Sequence, residues 1–255
     1  MKGKYPTEAF ALGMILFSAG LKEAFAAGSL MILTAVFAEF LKNLLKPLVP
    51  AWSSALCAAL AAGSLCASAF LLGFWALGIE MDAGTWSMTF LLGLLAARHV
   101  LRAELQAEYG ELLWECAVFW GFWVLLAAVR EFLATGAVFG SFIVRGSYQS
   151  KGFLDPAFGL LGTGLALAFT NGLLKKRGPD AESLLLALPL IIFARPLEMV
   201  SLGPLAGLLW TILAPAALFV SCRQTLKFSR TSSSFRGLPT ELLTLGFIYM
   251  ILGLY

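Results

Sequence analysis

Charge, histidine and paired cysteine are all scarce in this chain. Of its 255 residues, 13% are charged and 60% are hydrophobic, and the mean hydropathy is +0.86. A soluble globular domain carries about 25% charged and about 45–50% apolar residues, so an ordinary water-solvated domain is excluded. Cys57, Cys66, Cys116 and Cys222 form no C-x-x-C pair, and His99 is the sole histidine. A structural zinc site takes about four Cys or His ligands at tight spacing, so no zinc is expected. Cys57 and Cys66 fall on opposite faces of one helix at 100° per residue and read as small apolar residues. Gly-rich phosphate loops, nucleophile elbows and H-E-x-x-H are missing, and with them any signature of a soluble active site. The alternating segments of a transmembrane barrel are missing too. The net charge of +3 comes from loops and does not form a nucleic-acid footprint.

What is present is a series of nine apolar segments: Thr7–Leu21, Ala24–Leu41, Ala51–Leu77, Gly84–Ala97, Leu112–Gly136, Pro156–Leu174, Ser183–Ala194, Leu197–Val220 and Leu238–Tyr255. Several are shorter than the roughly 20 residues of a full span. The pattern predicts an all-α polytopic membrane protein with eight or nine transmembrane helices, some short or broken. The run from Ala9 to Leu21 after Lys2 and Lys4 reads as an uncleaved first membrane segment, because it ends in Lys22–Glu23.

The distribution of Lys and Arg predicts orientation. With the N-terminus in the cytoplasm and all nine segments crossing, Lys2, Lys4, Lys42, Lys46, Arg98, Arg102, Lys175, Lys176, Arg177, Arg223, Lys227, Arg230 and Arg236 are cytoplasmic. Only Lys22, Arg130, Arg145, Lys151 and Arg195 fall elsewhere. The expected location is therefore the inner cell membrane, multi-pass, with a cytoplasmic N-terminus. The basic, serine-rich stretch "CRQTLKFSRTSSSFR" at 222–236 reads as a cytoplasmic loop beside anionic lipid.

The chain begins and ends with nearly one phrase. Pro6–Leu21, "PTEAFALGMILFSAGL", and Pro239–Leu254, "PTELLTLGFIYMILGL", agree at eight of sixteen positions without a gap. Pro-Thr-Glu is a helix-start signal, with a hydroxyl cap and a carboxylate near the positive end of the helix dipole. The inner Leu-Gly recurs at 90–95, "FLLGLL". Recurring short helices at the heads of two halves are what inverted-repeat membrane folds contain. The expected organisation is a six-helix core, 1–178, in halves 1–82 and 83–178, followed by a C-terminal extension, 179–255.

"REFLATGAVFG" at 130–140 resembles a motif of the six-helix membrane subunits of the Rnf and Nqr electron-transport complexes, R-E-L/I-L-G-S-G-x-L-F-G. It keeps Arg130, Glu131, Gly136, Phe139 and Gly140. "RAE" at 102–104 and "DPAFGLLGTGLALAFTNGLLKKR" at 155–177 are similar to the family's fourth-helix end and last helix. "LGMILFSAGLKEAFAAG" at 12–28 resembles its first helix and the turn after it, with Gly13 and Gly93 as the Leu-Gly glycines. The resemblance implies an inverted-repeat subunit paired with a homologous subunit, around a two-iron iron–sulfur cluster, with electron flow linked to sodium or proton translocation. In that family one cluster cysteine lies in L-G-L-C-P and one in the N-C of the fourth helix. Here Ile15 takes the first position and Arg98–His99 the second; a rival alignment sets "ECAVF" at 115–119 on the second. A thiolate-bound cluster needs its sulfur ligands, so this chain is not expected to hold the family's cluster by the family's ligands. His99 and Cys116 remain weak metal candidates.

Ionisable groups at membrane depth are costly and mark function by default. Arg130, Glu131, Lys22, Glu23, Glu8 and Glu241 are the ion-pathway candidates; no catalytic residue is assigned. Arg195 and Glu198 flank Pro196 at a spacing that lets them face each other. Gly159, Gly162 and Gly164 suit close helix packing, and Trp114, Phe119, Trp120, Phe122 and Trp123 are read as an aromatic-rich face. The expected role is a scaffold and ion or electron pathway subunit of an Rnf/Nqr-like oxidoreductase. It would bind no cofactor alone, with a shared iron–sulfur cluster or flavin on partner subunits. Its partners would be other membrane subunits and lipid, not nucleic acid. A stand-alone inverted-repeat transporter, or a structural subunit of another complex, is the alternative.

Overall fold

The computed structural model describes residues 7–45, 47–102, 109–144, 146, 149–174, 203–226 and 239–252. The chain is mostly helical: α1 (Thr7–Phe17), α2 (Leu21–Leu45), α3 (Ala51–Ala76), α4 (Ala83–Arg102), α5 (Tyr109–Thr135), α6 (Pro156–Leu173), α7 (Pro204–Leu226) and α8 (Thr240–Leu252). Between α5 and α6 lie a two-stranded hairpin, β1 (Ala137–Val138) with β2 (Ser141–Phe142), and one turn of 3-10 helix, Lys151–Leu154. Among the described residues four helices are long and apolar enough to cross a membrane: Leu21–Leu45, Trp52–Ala76, Tyr109–Thr135 and Pro156–Leu173. The seventh apolar segment and the Arg195–Glu198 pair lie outside the described residues.

Several segments differ in extent from the sequence pattern, the second among them, which runs from Leu21 to Leu45. The fourth continues past Ala97 to Arg102, and the fifth begins at Tyr109, because polar helix formers extend an apolar run without breaking its hydrogen bonds. The first break comes at Ser18–Gly20, ahead of Lys22–Glu23, which occupy the first turn of α2.

Close contacts fix the helix directions. Leu30 of α2 lies beside Gly73 of α3, Thr34 lies beside Cys66, and Ala38 clusters with Ala62, so α2 and α3 are antiparallel. Ser18 meets Arg130, Gly13 meets Trp123 and Phe10 packs on Phe119, so α1 and α5 are parallel. Leu21 meets Glu131, Phe25 meets Trp120, and Asn43 meets Tyr109, so α2 and α5 are antiparallel. α6 descends beside α1, with Gly159 against the Ile15 carbonyl. α8 runs against α6, with Leu243 on Gly164 and Gly246 on Leu161. Leu242, Leu245 and Tyr249 of α8 belong to the same buried cluster as α1, α5 and α6. The last helix therefore completes the bundle core.

α1 is buried on every side: Ala9–Ile15 and Phe17 are all at most 3% exposed. A helix apolar all round belongs inside a bundle. At 1.5 Å per residue it rises about 16 Å, roughly half a hydrocarbon core. Lipid is as apolar as a leucine side chain, so helices in it associate through close packing and small residues. The Leu-Gly glycines serve that end. A Cβ on Gly93 would lie 2.5 Å from the Ala62 carbonyl oxygen, and one on Gly13 2.6 Å from the Trp123 ring. Gly246 in the third copy would meet Leu161 at 2.7 Å.

Candidate functional site

The residues that carry the motif at 130–140 form one connected structure at the end of α5. Arg130 is 1% exposed and donates four hydrogen bonds to nearby segments of the chain. Nε donates to the Phe153 carbonyl at 2.9 Å, and Nη2 donates to the Leu154 and Asp155 carbonyls at 2.9 and 3.0 Å. Nη1 donates to the Ser18 hydroxyl. The Phe153 and Leu154 carbonyls are partly buried at the end of the 3-10 turn, the Asp155 carbonyl also accepts the Gly159 N–H of α6, and a charged planar donor is a strong partner for such acceptors. Gly159 leaves the room: a Cβ there would lie 3.2 Å from Nη1.

Glu131 does the complementary work. Its Oε2 accepts from the Leu21 backbone N–H at 2.7 Å and its Oε1 from the Gly140 N–H at 2.8 Å. The first contact caps the free N-terminus of α2 with a carboxylate, where the helix dipole favours negative charge. The second ties the hairpin to α5. Phe139 and Gly140 both take left-handed backbone, φ +56° and +73°, as a two-residue type I′ turn requires. Gly136, at φ +72°, ends α5, and a Cβ there would run into the Val144 carbonyl. Arg130 and Glu131 thus do not pair with each other; adjacent on a helix, they reach opposite sides of the α1–α2 break.

Glu23, half-buried in the first turn of α2, interacts electrostatically with both Glu131 and Arg130, while Lys22 points to the exposed side. Three of the six pathway candidates, Arg130, Glu131 and Glu23, therefore gather here. Glu8 lies at the other end of α1, 3.8 Å from Arg98 of α4. Glu241 sits in the first turn of α8. Cys116 is buried in α5 and Cys66 in α3, with Cys57 exposed. His99 lies in α4, and its side chain falls outside the described residues.

No group of three or more His, Cys, Asp or Glu side chains among the described residues is placed to hold a metal. Ile15, at the position that resembles the first cluster cysteine, is buried in α1, and Arg98, at the second, faces Glu8. Neither residue offers a thiolate, so the family's cluster does not fit these positions. The aromatic residues of α5 do not share one face: Phe119 and Trp123 are buried, and Trp114 is 65% exposed.

Two participants were not singled out by sequence reasoning. Ser18 is 0% exposed and receives Arg130; "SAG" after an apolar run was the available signal, a short polar break. Glu39, 2% exposed in α2, lay hidden as one charge in a long apolar segment. Compared with protein-family models, with characterised proteins and with solved structures, the chain matches none.

Proposed function

We propose that this chain is an integral-membrane subunit of a redox-driven ion-translocating complex of the Rnf/Nqr type, acting as scaffold and ion or electron pathway. One observation carries the reading. Arg130, Glu131, Gly136 and Gly140, which bear the motif resemblance, work as a single device that holds a half-length helix and its break. Opposed directions support an inverted repeat: α2 runs against α5, and Gly13 and Gly93 each mark a close crossing. In this reading the chain crosses the inner membrane eight or nine times with its N-terminus in the cytoplasm. Electrons pass through flavin or iron–sulfur groups on partner subunits, a paired homologous subunit foremost among them.

The test is gentle purification from the native membrane, with mass spectrometry of the partners and an iron assay. Copurification with flavin- or iron-bearing subunits is the expected result; a lone, iron-free chain overturns the redox role. The second reading is a stand-alone inverted-repeat transporter. It is favoured by the helix break that gathers Glu23, Glu131 and Arg130 where α1 ends and α2 begins, since broken helices line transporter sites. Abolished ion flux in a reconstituted Glu23→Gln variant supports a pathway at the break in either reading; undiminished flux removes it.

A further inference from the structure

The far end of the bundle carries a different arrangement. Glu39 of α2 is 2% exposed, and its Oε2 has no hydrogen-bond partner. Its Oε1 accepts from Asn43 Nδ2 at 3.3 Å, and the same amide donates to the Tyr109 hydroxyl of α5 at 3.0 Å. Asn43 is exposed, so a polar seam runs between α2 and α5 from the surface to the buried carboxyl.

Height along the bundle follows from the contacts. Ala38, Ala62 and Ala97 form one cluster, which sets Glu39 level with the middle of α3. That is nine residues inside the exposed Trp52, about 13 Å of helix rise. On α5, which runs antiparallel to α2, the Asn43–Tyr109 contact sets Glu39 about four residues in from the helix start, level with the exposed Trp114, so the carboxyl is buried between helices near one end of the bundle. The ionisable groups nearest this height are Glu8, paired with Arg98, then the buried Glu115 with Glu111 and Tyr109 on α5, Lys42 one turn further along α2, and the thiols Cys57 and Cys66 on α3.

We propose that Glu39 is a proton-binding site, loaded and unloaded through the Asn43–Tyr109 seam. Burial of an unpaired charge in an apolar medium is expensive, and Arg98 is engaged with Glu8. A sodium ion would take about five or six oxygen ligands, as hard cations do, and no group of three acidic or other metal-binding side chains is gathered among the described residues. A proton needs only the one open oxygen. In the step, a hydrated proton arriving along the seam bonds to Oε2, and release runs the same path in reverse; no electron moves. The site stands apart from the redox reading and would serve a stand-alone transporter equally.

The test is infrared spectroscopy of the full chain in lipid nanodiscs, following the protonated-carboxyl C=O band across the pH range in which the chain stays folded. A buried carboxyl band that titrates is expected. It should disappear in Glu39→Gln and persist in Glu115→Gln. Asn43→Ala, which keeps the carboxyl, should shift the band or slow its hydrogen–deuterium exchange. Three results overturn the proposal: a Glu39→Gln spectrum identical to the parent, a band that never titrates, or a band that responds to sodium at fixed pH. If Glu39→Gln does not fold, an unchanged band and exchange rate in Asn43→Ala overturns it instead.

Discussion

α1 and α8 carry the same Pro-Thr-Glu and Leu-Gly phrase, run in one direction and lie at one height against α6. Gly159 of α6 meets α1, whereas Leu161 and Gly164 meet α8, so the two helices occupy opposite faces of α6 at 100° per residue. Their surroundings differ. α1 is enclosed by α2, α4, α5 and α6, and buries Phe10 against Phe119 and Trp123. α8 touches α6 and α7 and leaves Phe247 52% and Ile251 55% exposed. One phrase therefore serves as a central post in one place and as an outer stave in another. It specifies a helix start and a close crossing, and the neighbours decide burial.

Arg130 touches the end of α1 directly through Ser18 and holds the turn into α6, so its loss should affect α1 most. Arg130→Met leaves the partly buried Phe153 and Leu154 carbonyls and Ser18 without their donor, while Asp155 keeps the Gly159 N–H, and should cost about 3–5 kcal/mol, seen as loss of folded protein in a thermal-shift assay. Arg130→Lys should recover little of this, since an ammonium lacks the planar fork that reaches four acceptors. An Arg130→Met protein as stable as the parent would make the central post independent of its staple.

The glycines sharpen the comparison next. Gly93→Ala drives a methyl toward the Ala62 carbonyl, which cannot rotate away, and should cost about 1–3 kcal/mol. Gly13→Ala meets the enclosed Trp123 ring and should cost a similar amount, about 1–3 kcal/mol. Gly246→Ala should cost less, about 1 kcal/mol, because α8 at the rim has room to move outward. Equal melting temperatures for Gly13→Ala and Gly246→Ala would erase the distinction between post and stave.

Glu131→Gln keeps one acceptor oxygen but turns an NH2 toward the second backbone N–H, and removes the charge at the start of α2. A loss of about 1–2 kcal/mol is expected, measured by thermal unfolding in detergent. If ion flux survives while stability falls, Glu131 is a cap and not a pathway residue.

The smallest effect lies outside the spanning segments. Asp82 caps α4, accepting from the Gly84 and Thr85 N–H groups and from the Thr85 hydroxyl. The Thr85 hydroxyl bond holds its carboxyl below the usual range. A depressed folded value means the stabilisation is complete above the ordinary carboxylate pKa and disappears as pH falls through the lower one. The melting temperature of Asp82→Asn should thus respond less to acid than that of the parent. Identical acid profiles would remove the cap.

Much of the molecule was legible in the residues because its causes are local or compositional. Apolar runs of about 18 residues or more report a helix long enough to cross a membrane whatever surrounds it; α3 and α5 emerged near their expected bounds, and α2 extends the expected Ala24–Leu41 at both ends. The Arg130–Glu131 pair and the glycines at 136 and 140 stood out through residue type and spacing. Their partners did not, because Ser18 and Leu21 are more than 100 residues away in the chain. Glu39 was invisible for a related reason: only packing from α5 and its neighbours turns one charge on an apolar helix into a buried group.

The sequence by itself determined that the chain is helical with apolar runs long enough to cross a membrane, where most of its described helices begin, and that one phrase heads two of them. Hydropathy, caps and breakers act within a few residues, so these properties need no fold to be read. The tertiary structure alone decided that α1 is the enclosed helix and α8 the exposed one, that Arg130 reaches back to Ser18, and that Glu39 is buried between helices. Burial and pairing are properties of neighbours, and only the folded chain brings neighbours together.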